Sequence, residues 1–137
     1  MRAMCFGTFD RLHPGHLAYF SQARRYGDDL IIVVARDVNV LKIKGRAPRQ
    51  TEKVRAKAVR VALKEKGWAG RVVLGDLKNR CLVLKKYQPD FVCLGYDQAV
   101  NLGELKSAIR EGRLFCKIKR LRAYHPEKFK SSLFSLL

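Results

Sequence analysis

At 137 residues and 47% hydrophobic content, the chain is sized for one compact domain with its own buried core and is too short for two ordinary ones. Its 29 Lys and Arg against 12 Asp and Glu give a formal charge of +17, which demands polyanionic company, either nucleic acid or nucleoside triphosphates. No apolar stretch approaches the roughly 20 residues that span a bilayer, and Met1-Arg2 leads straight into a short apolar run, so a cytoplasmic protein with no membrane partner is expected.

Arg2–Phe6 reads as a first strand, and Gly15–Tyr26 as a helix with His16, Tyr19, Phe20 and Ala23 on one face and Gly27 placed to end it. Leu30–Ala35 is a continuous apolar run of the kind buried on both faces of a sheet. Asp37–Gln50, with Gly45, Pro48 and several basic residues, predicts a short turn of helix and then an exposed loop. Thr51 can cap the next helix, which runs to about Lys66 with Val54, Ala58, Val61 and Ala62 inward, and Gly67 stops it.

The remaining elements are a strand at Arg71–Leu74, a helix at Asn79–Tyr87, a strand at Phe91–Leu94, a helix at Leu102–Glu111 ended by Gly112, and a less regular strand at Cys116–Leu121. Ser131 or Ser132 can cap a final short helix. Strand and helix alternating about five times predicts an α/β fold: a single Rossmann-like, doubly wound domain with about five parallel strands flanked by helices. Cys5, Cys81, Cys93 and Cys116 form no C-x-x-C pair and no zinc-type cluster, so free thiols, without disulfide or zinc, are expected.

Ligands of such sheets sit at the carboxyl ends of the strands, which singles out Gly7–His16, Arg36–Asp37 and Gly95–Gln98. Gly7 lets the backbone turn, and Thr8-Phe9-Asp10-Arg11-Leu12 delivers the chain to a helix start at His13-Pro14-Gly15-His16. Pro14 suits the first helical position, where its missing N–H loses no bond. Free N–H groups and the positive end of the helix dipole predict an anion site there. His13 and His16, two of the three histidines in the chain, can donate hydrogen bonds to non-bridging oxygens as charge builds on a phosphorus under attack. That pairing favours chemistry over simple helix capping. Lys42, Lys44 and Arg46 lie where they can reach across to phosphates, as does Arg55 one turn into the following helix. Asp97 is placed to meet a base or ribose; Asp10 can orient a cation or histidine, and Asp37 can be a helix cap.

Gly7–His16 resembles the signature of the nucleotidyltransferase superfamily marked by an H-x-G-H motif, whose members include cytidylyltransferases, pantetheine-phosphate adenylyltransferases and FAD synthases. Ala35-Arg36-Asp37, Lys42–Pro48, Arg55 and Leu94–Gln98 are similar in order and spacing to the small archaeal-type FAD synthases. The resemblance implies that Gly7, Thr8, Phe9, Asp10, His13, Pro14, Gly15 and His16 hold a nucleoside triphosphate, with Lys44 and Arg55 assisting the two histidines. An acceptor phosphate then attacks the α-phosphorus and pyrophosphate leaves. It further implies ATP and FMN as substrates, FAD as product, and a homodimer. Mg²⁺ is expected to travel with the triphosphate, with no metal site of the protein's own. Lys130-Ser131-Ser132 resembles a late motif that hydrogen-bonds the β- and γ-phosphates in this superfamily, and Tyr124 just before it can stack on a base. The arginine-led form known from glycerol-phosphate cytidylyltransferases is absent from Phe129–Phe134. Two alternatives stay open on the sequence: a cytidylyltransferase making a CDP-alcohol from CTP, and a non-catalytic nucleic-acid-binding module on the same fold.

Overall fold

The computed structural model describes residues 1–79, 81–96, 98 and 100–122. Its strands are β1 (Arg2–Gly7), β2 (Asp29–Val34), β3 (Gly70–Leu74), β4 (Phe91–Leu94) and β5 (Lys117–Arg120). They form one parallel sheet in the order β3-β2-β1-β4-β5. The helices are α1 (Pro14–Ala23), α2 (Asp37–Lys44), α3 (Glu52–Lys66), α4 (Leu82–Tyr87) and α5 (Leu102–Glu111). The expected Rossmann-like α/β architecture is therefore present. Alternation along the strands sorts the core into two layers. Ala3, Cys5, Leu30 and Ile32 pack with Phe20 and Ala23 of α1 and Ala56, Val59 and Leu63 of α3. Met4, Ile31, Val33 and Val92 pack with Val83 and Leu84 of α4 and Leu105 of α5. No helix among the described residues is long and apolar enough to cross a membrane.

Several elements differ from the sequence expectation. Helix α1 stops at Ala23, and turns carry the chain to Gly27, whose N–H returns to the Ala23 carbonyl at 3.2 Å. Gly27 is required by packing, since a Cβ there would sit 2.9 Å from the backbone of Met1–Ala3. Helix α2 has eight residues, more than a single turn, and ends on Gly45 at φ 76°. In α3, Thr51 caps as expected by accepting from the Val54 N–H, but the helix is rotated relative to the predicted stripe. Arg55, Ala56, Val59, Ala62 and Leu63 face inward, while Val54 and Val61 are exposed. Helix α4 starts three residues late, because Asp76 accepts from the N–H groups of Lys78 and Asn79, and Asn79 from that of Cys81, holding this segment in turns. The four cysteines are free thiols; Cys5 and Cys93 are buried, and burial pushes the Cys93 thiol up to about 12.

Candidate active site

The chain order reverses direction across the sheet between β1 and β4, and there the two strands part. Their register ends at Cys5–Cys93, whereas β1 stays paired with β2 to Gly7–Val34. Side chains fill the gap. The Tyr19 hydroxyl of α1 accepts from the Phe6 N–H at 3.3 Å and donates to the Cys93 carbonyl. Gln98 donates from Nε2 to the Phe6 carbonyl at 3.0 Å and accepts the Gly95 N–H at 3.1 Å. Arg120, at the end of β5, donates to the carbonyls of Gly95 and Gln98 at 2.9 and 2.6 Å. The strand ends at this switch point, where such topologies place their ligands, are thereby braced from both sides.

The loop after β1 doubles back on itself. The Phe9 ring is buried against Gly7, where a Cβ would meet it at 2.6 Å. Phe9 and Arg11 both adopt positive φ, 54° and 52°, a conformation costing on the order of 1–3 kcal/mol for each side-chain-bearing residue. The α2–α3 connection sustains it. Both Asp10 carboxylate oxygens accept backbone N–H groups, from Arg49 at 2.8 Å and Gln50 at 2.9 Å, and Gln50 Oε1 accepts the Arg11 N–H at 2.9 Å. Asp10 thus holds two loops together, rather than orienting a cation or histidine through a free carboxylate.

At the start of α1 the two imidazoles form a reciprocal cap. His13 Nδ1 accepts the Gly15 N–H at 3.1 Å, and His16 Nδ1 accepts the His13 N–H at 3.2 Å. The rings stack with centroids 3.9 Å apart, and the edge of Phe9 supports His16 at 5.4 Å. Acceptance at Nδ1 leaves the proton of each neutral ring on Nε2. Burial is the main cause holding the His16 pKa down to about 3; His13 and Lys44 add to it and Asp10 opposes it. Burial lowers His13 in the same direction. Both rings are neutral Nε2–H donors at physiological pH.

This geometry revises the expected anion site. Pro14 has no N–H, Gly15 N–H goes to His13, and the N–H groups of His16 and Leu17 return to the His13 carbonyl. The backbone donors at the helix start are consumed internally, so the imidazoles present the donors in their place. A hydrogen bond received at Nδ1 sets which nitrogen carries the proton, the same device that orients metal-ligating histidines.

Lys44, the last residue of α2, reaches the loop through Nζ to Thr8 Oγ1 at 3.2 Å and is exposed. Lys42 and Arg46 are exposed beside it. Arg55 departs from its expected role as a phosphate-reaching cation, because it has no accessible surface. Its guanidinium donates to the Gln50 carbonyl at 3.0 Å, the Thr8 carbonyl at 2.7 Å and the Asp37 carboxylate at 2.6 Å. Asp37 is also a helix cap, though of α3: it accepts the Glu52 N–H at 3.2 Å, while Glu52 accepts the Asp37 N–H at 3.0 Å and pairs with Arg36 at 3.0 Å. Gly7, Thr8, Phe9, Asp10, His13, Pro14, Gly15, His16 and Lys44 thus meet at one end of the sheet. Asp97, Tyr124, Ser131 and Ser132 lie outside the described residues. Sequence reasoning missed Tyr19 as the bridge between strands and Arg120 as the brace of the β4 turn; the sequence signal for Tyr19 is its place on the inward face of α1, and for Arg120 its position at a strand end.

The arrangement offers neutral donors, one ammonium and a helix dipole at one end of the sheet, a set suited to a polyphosphate. Among the described residues no group of three or more His, Cys, Asp or Glu is gathered to hold a metal ion. Comparison with known proteins agrees in kind. The family described as cytidylyltransferase-like matches residues 4–134. An FAD synthase of Methanothrix thermoacetophila is 40% identical over 131 residues, covering 96% of this chain and 87% of that protein. An FAD synthase of Methanohalophilus mahii is 37% identical over 125 residues, covering 90% and 83%. Among solved structures, a lipopolysaccharide core biosynthesis protein from Thermoplasma volcanium GSS1 superposes with a TM-score of 0.78 at 35% identity, over 90% of this chain and 98% of that one.

Proposed function

The chain belongs to the cytidylyltransferase-like family, and on that premise we propose that it is a nucleotidyltransferase moving AMP from ATP to the phosphate of FMN, with FAD and pyrophosphate as products. The observation that carries the chemistry is the pair of Nδ1-tethered imidazoles at the start of α1. The choice of substrates rests on the likeness to FAD synthases over most of the chain.

In the transfer, a phosphate oxygen of FMN forms a bond to the α-phosphorus of ATP, and the bond from that phosphorus to the bridging α–β oxygen breaks. The electron pair leaves on pyrophosphate. The nucleophile is already ionised, with a second pKa near ~6, so no general base is needed. What accelerates the step is stabilisation of charge on the phosphoryl oxygens, supplied by Nε2–H of His13 and His16 and by the Lys44 ammonium. Because the donors are held by the fold before substrate arrives, they need little reorganisation as charge develops. Mg²⁺ enters as part of MgATP. Arg55 acts one step removed, by fixing the Thr8 carbonyl and hence the loop that carries the histidines. Asp97 meets the nucleoside, Ser131 and Ser132 the distal phosphates, and Tyr124 the base. The protein works in the cytoplasm as a homodimer.

CTP-dependent synthesis of a CDP-alcohol is the competing reading, and the missing arginine-led motif in Phe129–Phe134 counts against it. Incubating pure protein with MgATP or MgCTP against a panel of phosphorylated acceptors separates the two. FAD formed only from ATP and FMN supports the proposal; a CDP-alcohol from CTP, with no FAD, moves the assignment.

A further inference from the structure

A triphosphate and one acceptor phosphate account for only part of a net charge of +17. Helix α3 shows where some of the remainder is placed. Lys53, Lys57, Arg60 and Lys64 are all exposed, and their i, i+4, i+7, i+11 spacing gathers them within a ~60° arc along about 16 Å of helix axis. Ala56, Val59, Ala62 and Leu63 anchor other faces of the helix in the core, so the stripe is presented on a rigid support. Among the described residues, no ion pair or hydrogen bond engages any of the four side chains. Glu52 is committed to Arg36 and the Asp37 N–H, and Glu65 lies about 100° round the helix from Lys64.

Such an array does not help the isolated chain. Successive like charges three and four residues apart repel and weaken a helix. A polyanion laid along the stripe reverses the sign of that interaction. We infer that the outer face of α3 binds the phosphate backbone of double-stranded nucleic acid, without reading its sequence. Four cations over that length meet a strand carrying one phosphate per ~3.4 Å of rise, so several phosphates are engaged at once. The helix has no aromatic residue between Glu52 and Lys66 on which unpaired bases could stack, which disfavours a single strand. Its exposed large apolar side chains are Val54 and Val61, too few for the broad apolar face with which an interfacial helix enters a membrane.

The test is fluorescence anisotropy of a labelled DNA duplex of about 20 base pairs, titrated with the full-length protein between about 50 and 200 mM salt. Wild type should show log Kobs falling linearly with log salt. Replacing Lys53→Gln, Lys57→Gln, Arg60→Gln and Lys64→Gln together should flatten that slope by about 3 to 4 and weaken binding at low salt at least ~10-fold. A reference variant removes the same charge elsewhere, with Lys106→Gln, Arg110→Gln, Lys117→Gln and Lys119→Gln around β5, and should keep a slope near wild type. Circular-dichroism melting of both variants confirms that each is folded. Equal losses in the two variants, an unchanged slope in the α3 variant, or binding to anionic lipid vesicles with none to duplex would each overturn the inference.

Discussion

The Arg55 guanidinium, fully buried, donates to the partly exposed carboxylate of Asp37 at 2.6 Å and in the same stroke holds the Thr8 carbonyl at 2.7 Å. One side chain therefore joins the start of α2, the start of α3 and the loop after β1. Removing it leaves Asp37 without its cation and two carbonyls without their donor. Arg55→Ala should destabilise the protein by roughly 2–3 kcal/mol in denaturant unfolding, a figure kept modest because Asp37 is partly solvated. Arg55→Lys, lacking the forked geometry, should recover only a minor part.

Each histidine uses one nitrogen for structure and the other for chemistry, so the two can be separated. In His13→Asn, the amide oxygen can replace Nδ1 as acceptor of the Gly15 N–H while the Nε2–H donor is lost. Stability within about 0.5 kcal/mol of wild type is expected, with turnover reduced ~10²- to 10³-fold, the scale of losing one preorganised transition-state donor. His16→Ala should lose turnover similarly and also some stability, because it removes the acceptor for the His13 N–H. Wild-type turnover in either variant, measured as FAD formed per enzyme, would remove the histidines from the mechanism.

The depressed histidine pKa values carry a pH signature. In the unfolded chain His16 titrates near 6.5, and in the fold near 3, so in this window the unfolded state binds the extra proton. Its contribution to stability is complete above about pH 6.5 and is lost progressively as pH falls toward 3. His13 adds in the same direction. Denaturant midpoints between pH 4 and 8 should therefore rise with pH, and His16→Asn should flatten that rise; imidazole ¹⁵N spectra of the free protein should show a neutral, Nε2-protonated His16 ring at pH 6.

Lys44 and Arg120 differ in what they touch, and their variants should differ accordingly. Lys44 is exposed and bonded only to Thr8 Oγ1 among the described residues, so Lys44→Ala should leave stability within about 0.5 kcal/mol while lowering kcat/KM ~10²-fold or more. Arg120 braces the turn after β4 through the Gly95 and Gln98 carbonyls. Arg120→Ala should raise KM for the nucleotide with a smaller change in kcat, as expected for a positioning residue. Steady-state kinetics with varied MgATP distinguishes the two patterns.

The parts of the molecule legible from sequence are those encoded over a few neighbouring residues. Apolar runs marked the strands, Thr51 and Asn79 marked helix starts to within three residues, and Gly7 with His13-Pro14-Gly15-His16 marked the loop and the helix it feeds. The face of α3 was not legible, because Val54 and Val61 offered as good an apolar stripe as Val59 and Leu63. The tie that accompanies its observed rotation, Arg55 to Thr8 and Asp37, spans 47 and 18 residues and leaves no local trace. The same holds for Asp10, whose partners lie 39 and 40 residues away in the chain. The engagement of the backbone N–H groups at the start of α1 depends on which imidazole nitrogen turns inward, a choice of rotamer that spacing does not reveal.

One reaction at one pair of histidines can be tested in a single assay. Purified protein is incubated with MgATP and FMN, and FAD and pyrophosphate are quantified together in wild type and in His16→Asn. FAD and pyrophosphate should rise in equal amounts in wild type, and both should fall by orders of magnitude in the variant while its unfolding curve stays close to wild type. Pyrophosphate released without FAD, or equal FAD formation by the variant, would contradict it.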